Sequence, residues 1–367
     1  MIEPPIAVRK LPITNARPLH YPDLIFFCEL GPRALTELFA RPEVLPCLVK
    51  HGYGVALAVS DWSPERARVV RLLNAHHVRV VGWLLLPAAA GYWFNLQNYP
   101  HALAAYAEFR VWVHHYGLQF DGVGLDIEPS LADPQSVRHA RSALFSRLWR
   151  SQRHALFPAA HSAYIDLVAN IRHDGYTVYA YQIPLIVDDR RAGTTLLQRI
   201  FDVIDLPVDE EVLMCYSSIL PRALFGNDLN GAFVRSYGVH ADGLAIGSTG
   251  GGVVLDPVTG EQAHQITWAA FVRDLQIAVH YTPTVHIFSL EGCVEQDWLT
   301  RIADIDWEAS IAIPLRDRFV VGSARALVAF WLWASHSGWS VLGWIGWIVA
   351  GWLFVVYQRP HWLRRAR

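Results

Sequence analysis

The segment FDGVGLDIEPS, Phe120 to Ser130, decides the reading of this sequence. Its centre, Gly122 to Ile127, is a short apolar run with glycines at its start and a proline just past its end, the pattern of a buried strand. Asp126 and Glu128 stand two residues apart at its end. A strand turns successive side chains to opposite faces, so the two carboxyls share one face. Carboxylates held this close repel each other when both are ionised, and one keeps its proton to higher pH. Buried strands tolerate acids rarely, so the pair marks a site of chemistry.

Seven more apolar runs lie on either side. They are Leu24–Cys28, Gly54–Val59, Val78–Leu86, Thr177–Ile183, Val212–Tyr216, Gly243–Ile246 and Val285–Leu290. Most are continuous rather than alternating, as strands of a parallel sheet read when both faces are covered. Helical patterns fill the gaps: Pro64–Ala75 behind a Ser63 cap, Tyr99–His115, Asp133–Arg150 and Gln262–Val279. Eight alternations over about 290 residues predict an α/β fold, a (β/α)8 TIM barrel over residues 1–318. The carboxyl pair then falls at the C-terminal end of the fourth strand, the end on which such barrels build their sites. No GxGxxG follows the first strand, and Gly247–Gly252 (GSTGGG) lacks the GK[ST] of a phosphate loop, so it reads as a flexible βα loop. A βα insertion at 185–199 or at 220–237 reads as a small lid on the mouth side.

Composition narrows the classes further. Hydrophobic residues make up 53% and charged residues 17%, which excludes a disordered chain or a coiled coil. The net charge of -2 leaves no basic surplus for a nucleic-acid partner. Cys28, Cys47, Cys215 and Cys293 form no CxxC pair, and Cys28 and Cys215, inside apolar runs, read as free thiols acting as small hydrophobes. The 17 histidines contain no HExxH, and the adjacent pairs His76–His77 and His114–His115 diverge on a helix, so neither a metal nor another cofactor is expected. From Ala326 to Tyr357 no Asp, Glu, Lys or Arg occurs. That run exceeds the ~20 residues needed to cross a bilayer. It predicts a connecting or first membrane-associated helix at 319–338, a transmembrane helix at 339–358 and a basic tail at 359–367. The barrel is then membrane-anchored, on a side that the charges leave open, with the lipid membrane as a partner.

The run from Asp121 to Glu128 resembles the DGxDxDxE signature of the family 18 glycoside hydrolases, the chitinases and related endo-N-acetylglucosaminidases. Asp121, Asp126 and Glu128 match it, and Gly124 stands where the signature has its middle Asp. Met214-Cys-Tyr216 in the sixth strand is similar to the MxY of that family. The resemblance implies a TIM barrel in which Glu128 is the general acid and base, Asp126 orients a substrate N-acetyl group, and Tyr216 supports that group as its carbonyl oxygen attacks the anomeric carbon. It places Asp121 with them in the catalytic signature. The partner it implies is an oligosaccharide or polysaccharide containing an N-acetylhexosamine. The third strand runs into GWLLLP rather than the family's SxGG. The eighth ends in Ser289-Leu-Glu291, where chitinases carry a sugar-flooring Trp.

Two further readings stay open. Glu29 and Glu291, at the ends of the first and eighth strands, are placed to serve as a nucleophile opposite Glu128, as in a retaining enzyme with two carboxylates. Trp83 and Tyr181 offer aromatic surface, and Gln182 and Asn95 offer hydrogen bonds, to a sugar. The other reading, resting on Gly124 and the missing Trp, is a catalytically silent barrel that binds a glycan or a protein.

Overall fold

A computed structural model of the chain describes residues 22–129, 156–219, 228–250, 254–256, 261–262 and 265–336. Its centre is a closed barrel of eight parallel strands: β1 (Asp23–Cys28), β2 (Gly54–Val59), β3 (Val80–Leu84), β4 (Gly122–Ile127), β5 (Thr177–Gln182), β6 (Glu210–Met214), β7 (Gly243–Gly247) and β10 (Thr284–Phe288). The short strands β8 (Val254–Asp256) and β9 (Glu261–Gln262) pair antiparallel with each other outside the barrel. Around the barrel the order is β1-β2-β3-β4-β5-β6-β7-β10, with β10 closing onto β1. With helices between the strands, this is a TIM barrel.

The continuous apolar runs are explained by burial on both faces. Leu24 and Phe26 of β1 pack outward with the helices, while Ile25 and Phe27 point inward. The same alternation sends Trp83, Tyr179, Tyr181, Val212, Met214 and Ala245 into the interior. On β4 the inward positions below Asp126 are Gly122 and Gly124, and both are glycine for a steric reason. A Cβ on Gly122 would lie 2.6 Å from the Tyr179 ring, and one on Gly124 would lie 2.5 Å from the Tyr181 ring. Two tyrosines of β5 thus fill the space that β4 leaves bare. Burying each ring contributes roughly 1.5–3 kcal/mol.

Helix signals hold where they are strongest. Pro64–Ala75 begins as expected, with the Ser63 side chain accepting from the Arg66 N–H at 3.3 Å. Tyr99–Tyr116 ends at Gly117, whose φ of +60° suits a left-handed cap. The later helix runs from Trp268 to Tyr281 rather than from Gln262, because Thr267 caps it with its hydroxyl. The expected helix 133–150 lies outside the described residues, as does the lid segment 220–227. Segment 185–199 is not a free lid: it holds the short helices Ile186–Arg191 and Leu196–Phe201, knit together by the buried Asp189.

The C-terminal expectation is corrected. No helix among the described residues is long and apolar enough to cross a membrane. The stretch expected as a first membrane-associated helix belongs to a helix, Leu315–His336, that docks on the barrel's helical layer. Its anchor is Arg325, which the apolar pattern treats as an interruption. The guanidinium reaches the buried Asp188 at 2.7 and 2.9 Å and lies 4.1 Å above the Tyr237 ring. A charge satisfied this way stabilises docking on protein. In the described structure, membrane anchoring and a lipid partner thus lose their support. The expected transmembrane helix at 339–358 and the basic tail at 359–367 lie outside the described residues.

Candidate active site

Asp126 and Glu128 leave β4 on the inward face at the C-terminal mouth. Asp126 is 1% exposed, and its Oδ2 accepts a hydrogen bond from Trp83 Nε1 of β3 at 3.0 Å. The two carboxyls lie close enough for each to act on the other's titration. Glu128 keeps some solvent access although protein walls it on most sides. Burial pushes its carboxyl up to about 7, with Asp126 opposing the rise and the charge of Glu29 adding to it. Asp126 is raised well above the usual carboxylate range by burial first and by the Glu128 charge second. The pair therefore holds a proton near neutral pH beside a solvent-accessible opening.

The backbone of this pair is pinned by the loop after β3. Phe94 bridges Ile127: its N–H donates to the Asp126 carbonyl at 2.8 Å, and its carbonyl accepts from the Glu128 N–H at 3.1 Å. Asn95 and Asn98 brace the loop, and the Tyr164 hydroxyl donates to the Asn95 carbonyl at 3.1 Å.

Three other strand ends complete the mouth. Tyr216 follows Met214 on the inward face of β6 and rests against Phe288, with ring centroids 5.8 Å apart. Burial, then the charges of Glu128, Asp126 and Glu29, keep its phenol protonated, so it is a lasting hydrogen-bond donor. Glu29 follows β1, and its Oε1 accepts from the Tyr92 hydroxyl. Glu291 opens the helix Leu290–Glu295, and its Oε1 accepts from the Glu29 N–H at 3.2 Å. Burial pushes Glu291 up to about 7 and raises Glu29 as well. The buried Arg66 is committed elsewhere, to Asp61 and to the carbonyls of Leu30 and Ala58. Among the described residues no group of three or more His, Cys, Asp or Glu side chains could hold a metal ion.

No protein-family model matches the chain. No curated protein matches it either. Among solved structures it is similar to a D-allulose 3-epimerase from Methylomonas sp., at 11% identity and a TM-score of 0.38, with 72% of this chain and 83% of that one covered. It is also similar to FabI from Alistipes finegoldii, at 13% identity and a TM-score of 0.21, covering 83% and 97%. The TIM barrel rests on the strand pairing of this chain itself.

Of the residues singled out in the sequence, the structure brings Asp126, Glu128, Tyr216, Glu29 and Glu291 to one mouth. Asp121 is not with them. It sits at the opposite end of β4, exposed, with its Oδ2 accepting from the Val80 N–H at 2.8 Å. Trp83 and Tyr181 are interior side chains, 4% and 0% exposed, and neither floors a sugar site. Trp83 instead orients Asp126. Asn95 is 1% exposed and spends its amide on its own loop. Gln182 is buried on the face of β5 opposite to Tyr181, toward the helices. One residue was missed: Phe288 puts an aromatic ring at the end of β10. Tyr92, an aromatic near the rim in the sequence as well, holds Glu29. The aromatic at the close of the VHIF run was the available signal for Phe288. Nothing local announced the link from Tyr92 to Glu29, 63 residues away.

Proposed function

We propose that the protein is a retaining glycoside hydrolase of the family 18 type, acting on a glycan that contains an N-acetylhexosamine. The observation that carries this reading is the Asp126–Glu128 pair, which holds a proton near pH 7 at the barrel mouth with the Tyr216 phenol close by. Glu128 protonates the glycosidic oxygen as the bond to the anomeric carbon breaks. The substrate's acetamido oxygen supplies the electron pair on the opposite side of that carbon, closing a cyclic oxazolinium. Asp126 accepts the acetamido N–H as positive charge develops there, and Tyr216 donates to the acetamido oxygen to hold it in line. Glu128, now ionised, takes a proton from water, whose oxygen opens the ring and restores the N-acetyl sugar with retention.

A second reading is favoured by Glu29, whose charge acts on both Glu128 and Glu291. In it, Glu29 attacks the anomeric carbon directly and the substrate needs no acetamido group.

The test is hydrolysis of paired aryl glycosides, N-acetylated and not, by the full chain beside Glu128→Gln. The first reading expects turnover only of N-acetylated substrates, falling roughly 10²–10⁴-fold in the variant. Turnover that ignores the acetamido group and falls with Glu29→Gln selects the second. Equal turnover in the parent and Glu128→Gln refutes both.

A further inference from the structure

The signature that β4 resembles has an acid where this chain has Gly124. On a strand, residue 124 faces the same way as Asp126, so a side chain there would project directly beneath the Asp126 carboxyl. That space is filled from the neighbouring strand. The Tyr181 ring lies 2.5 Å, and its hydroxyl 3.0 Å, from the place of a Cβ on Gly124. Tyr181 pairs with Asp126 in the β4–β5 register and is 0% exposed. Among the described residues neither its hydroxyl nor Asp126 Oδ1 has a hydrogen-bond partner, so the two are not bonded directly. Two buried polar atoms left open on adjacent strands, one able to donate and one able to accept, are complementary.

We propose that Tyr181 is a positioning residue for Asp126, its phenol standing where residue 124 provides no side chain and donating to Asp126 Oδ1 through one bridging water. This rests on the reading of Asp126 and Glu128 as the working pair. A phenol in this role differs from a carboxyl in one respect that matters: buried, it stays protonated throughout the working range, so it always donates and never competes for the shared proton. The Gly124 and Tyr181 combination thus adds no titrating acid beneath the Asp126–Glu128 pair.

Among the described residues, several groups act on Asp126 from the surrounding elements. Glu128 shares its strand, Trp83 donates from β3, Glu29 acts from β1, Tyr216 from β6, and Tyr92 from the loop after β3. On the far side of Tyr181 lies His286 of β10, with ring centroids 5.5 Å apart and neither ring nitrogen bonded. Arg79 acts on both Tyr181 and His286 from the lower end of the barrel. His286 is therefore the competing acceptor for the phenol.

Carbon-13 NMR titration of the Asp and Glu carboxyls in the full chain, without substrate, tests this apart from any activity. In Tyr181→Phe the upper apparent pKa of the Asp126–Glu128 pair should rise by about one pH unit, because an ionised Asp126 loses its donor. In the parent, the Tyr181 Cζ resonance should follow the same carboxyl titration, a readout that needs no variant to fold. An unmoved carboxyl titration in Tyr181→Phe overturns the proposal, as does a Tyr181 Cζ resonance that ignores the pair. A Tyr181 hydroxyl that bonds His286 gives that second result. Absence of hydrolysis on every glycan leaves these signals readable, so failure of the functional reading and failure of this one are distinct.

Discussion

The two ends of the barrel use the same side chain in opposite ways. At the N-terminal end most acids are held by backbone N–H groups or by arginine, Glu210 excepted. Asp121, Asp209 and Asp242 each stand just before a strand and accept from the first backbone N–H groups of the neighbouring strand, Val80, Val178 and Glu211, at 2.8, 2.9 and 3.1 Å. Asp209 also pairs with Arg172, and Asp23 pairs with Arg79 at 2.7 Å. At the C-terminal mouth Glu29, Asp126, Glu128 and Glu291 are crowded together, and no described salt bridge involves any of them. Paired acids hold the ends of strands in register. Unpaired acids held by burial retain protons that solution carboxyls lose. One sequence signature supplies both kinds, Asp121 to the first group and Asp126 and Glu128 to the second.

The largest expected effect sets the two ends apart directly. On the proposed hydrolase reading, Asp126→Asn should cost roughly 10²-fold or more in turnover of an N-acetylated glycoside, while Asp121→Asn should leave turnover within about twofold. Steady-state kinetics on both variants checks this, and equal losses would erase the distinction. Next is packing between the ends. Gly124→Asp should destabilise the fold by about 3 kcal/mol, measured by urea unfolding, since its Cβ has nowhere to go beside a fully buried Tyr181. A neutral result would mean that the β5 rings yield.

The third effect concerns pH. Glu291 is held near 7 in the fold, against about 4.3 for an exposed glutamate. Its folded-state value is raised, so its contribution is complete below about pH 4.3 and is lost as the pH climbs through about 7. Glu291→Gln removes that loss. The variant and the parent should match near pH 4, and the variant should be the more stable by about 1–2 kcal/mol near pH 8, allowing for partial solvent screening. Thermal melts at both pH values decide it; a constant difference sinks the idea. The smallest effect belongs to the lower end: Asp242→Ala should cost about 1 kcal/mol by removing the Glu211 cap, with no change in any pH profile of turnover.

The strands were legible because burial on both faces writes itself into the chain as short unbroken apolar runs, and each of the eight falls where such a run stands. The period-two argument also placed Asp126 and Glu128 together correctly. Asp121 was misread because a signature is a line of letters, and the strand between Asp121 and Asp126 spans the height of the barrel. Tyr181 and Trp83 were taken for sugar contacts because an aromatic at a strand end and an aromatic one position into the barrel look alike in sequence. The C-terminal helix was misread through hydropathy alone. Arg325 finds Asp188 137 residues earlier in the chain, a pairing no local window contains.

The bridge from Phe94 to Ile127 has a kinetic meaning as well. The Glu128 amide sits at a rim, where backbone ordinarily opens and exchanges its hydrogen quickly, yet its bond to the Phe94 carbonyl is backed by a loop that is itself tied down. Release of that hydrogen requires the whole 86–98 segment to lift, so the Glu128 amide should exchange with deuterium at the slow rate of interior strands. The acid is then carried on backbone that loop and sheet both hold in place.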